Sequence, residues 1–451
     1  MLNAGSTAWV LASAALVMLM TPGLAFFYGG MVRSKSVLNM LMMNFMCLAI
    51  VGVLWCLYGF SLAFGNDAFG GLVGSFQYLG LGNMFPNGSQ AIVGASTGDG
   101  IPILAFVMFQ LMFAVITPAL ISGAVPERIK FWSWGIFVVL WSTIVYFPVA
   151  HWVFAFDGYA SDKGGWIANS LKALDFAGGT AVHINAGAAG LALAIVLGKR
   201  RGWPRDPGRP HSLPFVLLGA SLLWFGWYGF NAGSALGANS TAAIAFTTTT
   251  VATAAATIGW LLVEQVRDGK PTTLGAASGA VAGLVAITPA CAYVNPVGGL
   301  AVGFIAGAVC ALCVSIKFRF GFDDSLDVVA VHLVGGLVGT LLIGFFGTTS
   351  LNSSSADGLF YGGGFDQLGK QAVAAFAVLL YSFVVTSIIA LLIKYTIGFR
   401  VTEEDEAAGI DESQHAETSY DYSGLRSGGG TGSSILDGAA SRVPASAGQE
   451  G

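Results

Sequence analysis

Two histidines stand out by their surroundings. His183 lies in TAVHINAG and His332 in VVAVHLVGG, each inside a long apolar run with no formal charge close by. An ionisable side chain in an apolar, lipid-spanning segment is costly and marks a functional hypothesis. A single buried histidine is commonly satisfied by a backbone carbonyl. Two of them, at corresponding places in two separate segments, suggest a joint role. Paired neutral imidazoles bond to each other, one nitrogen donating and the other accepting, so such a pair has the means to pass a proton while staying uncharged on average.

Aromatic residues form a second cluster. Phe113 lies in QLMFAVITPALISG, and Phe230 lies in WFGWYGFNAGSA between Trp227 and Ser234. On a helix the spacing i, i+3, i+7 puts Trp227, Phe230 and Ser234 on one face. One reading is core packing. The other is a cation site, because aromatic faces attract cations and a serine hydroxyl accepts a hydrogen bond from one. Spacing alone leaves both open. Asp175 opens LDFAGGTAVH and is placed to cap the following helix; it also lends negative potential to the region outside it. His151 reads as a structural or interfacial residue near a helix end, and His211 and His415 fall in polar segments. Glu127-Arg128 and Asp323-Asp324…Asp327 read as solvated or paired charges at helix ends. Cys310 and Cys313 form a C-x-x-C on an apolar stretch with no charge to activate a thiol, so all five cysteines read as small packing residues. No P-loop, nucleophile elbow or zinc motif is present, so neither an enzyme nor a metal or cofactor site is expected.

The elements that must position these residues follow from composition. Of 451 residues, 55% are hydrophobic and 10% charged, against the usual quarter or so of charged residues in soluble domains. Lipid is therefore the expected solvent. A net charge of −4 excludes a nucleic-acid binder built on bulk basicity. The 63 glycines lie mostly inside apolar runs, where small residues let helices pack closely. Apolar stretches recur at about 7–31, 37–64, 102–124, 131–154, 178–198, 213–235, 241–265, 274–291, 297–316, 329–350 and 371–398. Each approaches the roughly 20 residues a span needs; the Ala/Gly-rich 274–291 is the weakest. The expected fold is an all-α polytopic membrane protein of eleven transmembrane helices.

Lysine and arginine cluster in alternate loops: Arg33 and Lys35, Arg128 and Lys130, 199–209, Arg267 and Lys270, Lys317 and Arg319, then Arg400. The intervening loops carry only Lys163, Lys172 and Lys370. The positive-inside rule then puts the N-terminus outside and the C-terminus in the cytoplasm. No basic region precedes the first apolar run, so it reads as an uncleaved helix. The 65–101 loop reads as an ordered or partly helical external cap. Three regions result: a membrane domain at 1–398, an acidic cytoplasmic segment at 399–422 and a Gly/Ser-rich, disordered tail at 423–451. A weak echo, Asp175…His183 against Asp327…His332, suggests a five-plus-five inverted repeat with one extra helix, its site near mid-membrane.

The stretches GLAFFYGGMVRSKSVLNM, LDFAGGTAVHINAG, WYGFNAGSA, ITPACAYV and DDSLDVVAVHLVGG resemble the ammonium transporter family (Amt/MEP/Rh), on its microbial Amt side, across about residues 20–400. The resemblance implies a homotrimer with one pore per subunit, and His183 and His332 as twin pore histidines. It implies that Phe113 and Phe230 form a stacked gate, that Ser234 helps to bind ammonium above it, and that Trp227 lines the wall nearby. It matches Asp175 to an aspartate near the recruitment site and Gln110 to a polar residue close to the gate. Where many members have a vestibule tryptophan, this chain has Phe154, a weaker cation partner. The acidic segment resembles the family's regulatory tail, which in many prokaryotic members helps to receive a PII-type signal protein. The expected function is plasma-membrane ammonium transport: ammonium is deprotonated at the gate, ammonia passes the histidines, and a proton follows. The alternative is an ammonium sensor signalling through the tail.

Overall fold

The computed structural model describes residues 1–206 and 208–420; the tail predicted over 423–451 lies outside them. Among the described residues ten helices are long and apolar enough to cross a membrane: α1 Ala4–Met31, α2 Val37–Phe64, α3 Ile103–Ala124, α4 Phe131–Phe154, α5 Gly179–Leu197, α6 Leu213–Gly233, α7 Ser240–Asp268, α9 Pro296–Phe320, α10 Val329–Phe346 and α11 Asp366–Thr396. The weakest predicted span is a shorter apolar helix, α8 Thr273–Ile287, ending in turns through Thr288–Tyr293. The predicted stretches otherwise match the helices to within a few residues. The apolar runs have no competing period-two pattern, and helix is the open-ended structure that satisfies its own backbone in lipid.

Caps fix several starts. Asn3, Ser212, Asn239, Thr272 and Asn295 each accept a backbone N–H from the first turn of α1, α6, α7, α8 and α9. Helices pack most extensively as α1 on α6, α7 on α9 and α7 on α8. Glycine makes the close crossings: at Gly303 of α9 an added Cβ would lie 2.0 Å from the Ala252 carbonyl oxygen of α7. The 65–101 loop is ordered, with 3-10 turns and a small hairpin, Ile92–Val93 against Ile101–Pro102, the one paired sheet among the described residues.

Beyond α11 the acidic segment forms two short helices, α12 Glu403–Ala408 and α13 Ile410–His415. It folds back on the body. Asp411 accepts the Leu38 and Asn39 N–H groups at the start of α2, at 3.0 and 2.8 Å. Glu406 accepts the Arg201 N–H at 2.6 Å and pairs with Arg400 at 2.7 Å.

The charges at this end are paired, but they are not solvated. Glu127 and Asp323 are 2% and 0% exposed. Glu127 binds Arg33 at 2.5 Å and Arg200 at 3.3 Å; Arg200 also binds Asp323 at 2.9 Å, and Arg128 donates to the Asp323 carbonyl at 2.6 Å. Burial alone would raise the Glu127 carboxyl, but the Arg33 hydrogen bonds and Arg200 hold it below the usual carboxylate range. Burial lowers the Arg128 guanidinium to about 10, against the pull of Asp323. The network ties the loops after α1, α3, α5 and α9 into one plate.

Candidate functional site

Helices α5 and α10 both begin with a π-helical turn, Gly179–Ile184 and Val329–Val334, and each turn carries a histidine. Such bulges recur at functional sites, because the wider turn re-aims side chains and frees backbone groups. In α5 the turn is held by Asp175. Its Oδ1 accepts the Gly178 and Gly179 N–H groups at 2.7 and 2.6 Å, and its Oδ2 accepts the Thr180 and Ala181 N–H groups at 2.7 and 3.3 Å. The Thr180 hydroxyl donates to Oδ2 as well.

Asp327 does not cap α10; it pairs with Lys317 at 2.6 Å. Asp324 does the capping, its two oxygens accepting the Val328 and Val329 N–H groups at 3.1 and 2.8 Å. Asp324 lies eight residues before His332, just as Asp175 lies eight before His183. Four residues after each histidine comes a glycine at the crossing. A Cβ on Gly187 would lie 2.4 Å from the Leu333 nitrogen, and one on Gly336 would lie 3.0 Å from Ile184 Cγ1. Each half thus reads aspartate, histidine, glycine at equal spacing.

The histidine rings meet at this crossing. They lie 5.4 Å apart at 20°, with Nδ1 to Nδ1 at 3.4 Å. That is long for a hydrogen bond, yet it allows one Nδ1–H to point at the other ring. His332 Nε2 lies 3.5 Å from the Tyr28 hydroxyl, which donates to the Leu120 carbonyl at 3.1 Å. His183 Nε2 is buried with no hydrogen-bond partner, an arrangement that leaves it open to a guest. Trp227 and Phe230 extend the stack, 5.5 and 6.0 Å from His183 at 21° and 23°. The Trp227 indole N–H is fixed on Thr288 at 2.8 Å.

A narrow lumen runs along these rings. Leucine, isoleucine, valine and methionine supply the rest of its wall, and its room for a water-sized molecule is about 10 Å³, roughly one such molecule. Phe230 lines this lumen; Ser234, one turn on, lines a wider cavity of about 530 Å³ with Asp175 and Tyr293. Phe113 packs on Phe230 with ring centroids 4.3 Å apart at 38°, and Phe154 abuts Phe113 edge-on at 6.4 Å. Phe113 and Phe230 are both buried, 1% exposed. The Ser234 hydroxyl donates to the Phe230 carbonyl at 2.8 Å, which leaves its oxygen free to accept.

The structure therefore brings together His183, His332, Trp227, Phe230, Phe113 and Phe154, with Ser234 and Asp175 on the wider cavity. Gln110 is buried one turn before Phe113 on α3 and lines neither space. His151 is wholly buried, its Nδ1 on the Ala63 carbonyl at 3.0 Å and its Nε2 3.6 Å from Asp67, a structural position. Among the described residues no cluster of side chains suits a metal. Tyr28 was not singled out from sequence, although it lies in the GLAFFYGGM stretch; its partner is 304 residues away and no local pattern marks it.

Comparison with known proteins gives a consistent result. The family model described as Ammonium Transporter Family matches residues 8–420. An ammonium transporter of Mycobacterium tuberculosis (strain ATCC 25618 / H37Rv) is 62% identical, covering 93% of this chain and 91% of its own. The crystal structure of Saccharomyces cerevisiae Mep2 superposes with a TM-score of 0.79 at 34% identity, covering 89% of this chain and 91% of that one. A structure described as a sensor Amt protein superposes with a TM-score of 0.81 at 27% identity, covering 91% and 98%.

Proposed function

This chain belongs to the ammonium transporter family, and on that premise we propose that it moves ammonium by splitting it into ammonia and a proton. Ammonium gathers in the 530 Å³ cavity, where Ser234 accepts a hydrogen bond and Asp175 lends negative potential; the rings of Phe113 and Phe154, packed beside Phe230, offer π faces on the way in, with Gln110 one turn before Phe113. An intact cation in the apolar lumen costs several kcal/mol or more. Loss of a proton at the Phe113–Phe230 gate removes that cost. Ammonia then passes Trp227, His183 and His332. The proton follows along the imidazole pair, with Tyr28 as the next group in line. Potassium has no proton to lose and is excluded.

The single observation that carries this reading is the imidazole pair, Nδ1 to Nδ1 at 3.4 Å, lining a lumen with room for one water-sized molecule. The lysine and arginine asymmetry supports eleven spans including α8, with the N-terminus outside and the C-terminus cytoplasmic in the plasma membrane. The matched aspartate–histidine–glycine spacing supports a five-plus-five inverted repeat plus α11. On this reading residues 1–398 transport, the subunits form a homotrimer, and the acidic 399–422 segment is regulatory, with a PII-type protein as its partner.

The sensor alternative draws on the 27% identical structure, whereas the 62% identical relative is named a transporter. Purified protein in proteoliposomes decides between them. An ammonium pulse is expected to give a transient current that falls in deuterium oxide beyond the effect of viscosity, since protons move between nitrogens. No current and no change of internal pH from folded protein refutes transport.

A further inference from the structure

The wider cavity of about 530 Å³ has two charged residues on its wall, Asp175 and Lys172. They lie three residues apart, and the chain between them is pinned: Gln371 donates to the Leu174 carbonyl at 2.7 Å and accepts the Leu174 N–H at 2.6 Å. Lys172 ends the π-helical turn Ile167–Leu171, its N–H on the Ile167 carbonyl, with φ at 59° and ψ at 38°. That left-handed conformation costs a residue with a Cβ and comes freely to glycine. A lysine there is held under backbone strain, and observed strain of this kind points to a use for the side chain.

The two charges differ in what they have left to offer. The Asp175 carboxylate is already engaged by four backbone N–H groups and the Thr180 hydroxyl. Lys172 is exposed, and among the described residues its ammonium takes part in no hydrogen bond or ion pair. One lysine and one aspartate leave the wall formally neutral, yet the charge free to meet an incoming cation is itself a cation. Ser234 lies on the same wall, so a cation accepted by its hydroxyl shares the cavity with the Lys172 ammonium.

We propose, on the reading that ammonium gathers in this cavity, that Lys172 sets the affinity for it: the free charge on the wall repels the entering cation and holds down occupancy of the Ser234 site. Repulsion between unit charges on the order of 10 Å apart in a wet cavity changes occupancy about 2- to 10-fold. Ammonium currents from proteoliposomes of the full chain are recorded over a concentration series. Lys172→Gln and Lys172→Gly are expected to lower the half-saturating ammonium concentration about 2- to 10-fold, and Lys172→Glu to lower it further, while Lys172→Arg keeps the wild-type value. Glycine relieves the backbone strain and glutamine retains it, so agreement between the two assigns the effect to charge. The shift falls on the half-saturating concentration and not on the maximal current. In roughly 1 M sodium chloride, where the screening length is about 3 Å, the curves of wild type and variants converge. A half-saturating concentration that stays at the wild-type value in the Gln and Glu variants overturns the proposal while transport itself stands. So does a shift in Lys172→Gly alone, which assigns the effect to the backbone. Absence of an ammonium current in the wild type overturns both the role of Lys172 and the transport reading beneath it.

Discussion

Asp175 offers a test of how the histidine turn is held. Its two oxygens accept four backbone N–H groups and the Thr180 hydroxyl, and the carboxylate is 6% exposed. In Asp175→Ala those amides lose their acceptor in a water-poor interior. Each buried donor left unsatisfied costs about 1–3 kcal/mol, and relaxation of the turn recovers part of the sum. A loss of roughly 3–5 kcal/mol is expected, the range for breaking a buried charge-assisted network. Asp175→Asn keeps one oxygen for Gly178 and Gly179 but turns an NH2 group toward Thr180 and Ala181, for roughly 2–3 kcal/mol. Thermal unfolding of the purified protein, read by tryptophan fluorescence alongside ammonium currents, should rank wild type above Asn above Ala. The Ala variant should melt lower by an amount on the order of 5–10 °C. Current should fall in the same order, because the turn carries His183. An Ala variant with wild-type melting but no current would refute the capping argument and leave the charge itself as the contribution of Asp175.

Other perturbations have equally definite outcomes. Glu127→Ala leaves Arg33 and Arg200 without their shared carboxylate and should cost about 3–5 kcal/mol, read as a lower melting temperature with the helical circular dichroism retained. Burial pushes the Asp324 carboxyl up to about 7 from its ordinary 3.8, with Lys317 pulling it down and Asp327 pushing it up. A carboxyl raised in the fold favours the protonated state. Its contribution to stability therefore falls as pH rises from about 4 to about 7 and is level above; Asp324→Asn should flatten that slope in a melting-temperature series. Tyr28→Phe removes one hydroxyl and should change stability by only about 1 kcal/mol, while cutting the ammonium current several-fold if the hydroxyl passes the proton on.

The spans and most of their limits were legible because lipid-facing helices write their length into hydropathy. The fifteen-residue α8 was the weakest in sequence for the reason that it is short in space: its Ala/Gly run ends at Ile287 and turns follow. The juxtaposition of Trp227, Phe230 and Ser234 followed from helical spacing, and that of the two histidines from their matching contexts. Tyr28 was hidden because its meaning lies in a contact between α1 and α10. Asp324 was readable in principle, eight residues before its histidine, yet Asp327 drew the comparison by lying nearer. The charges at Glu127 and Asp323 read as solvated or paired because hydropathy places them in loops, and only the pairing holds. Only packing reveals that the loops close over one another and bury the pairs.

The central claim, that ammonium crosses as ammonia and a proton past His183 and His332, is tested most directly by recording current and internal pH together. Proteoliposomes of the wild type and of His183→Ala/His332→Ala receive matched ammonium and potassium pulses. The account predicts a wild-type current with ammonium and none with potassium, and loss of that current or of that selectivity in the double variant. A potassium current equal to the ammonium current in the wild type, or an unchanged selective current without the two imidazoles, would contradict it.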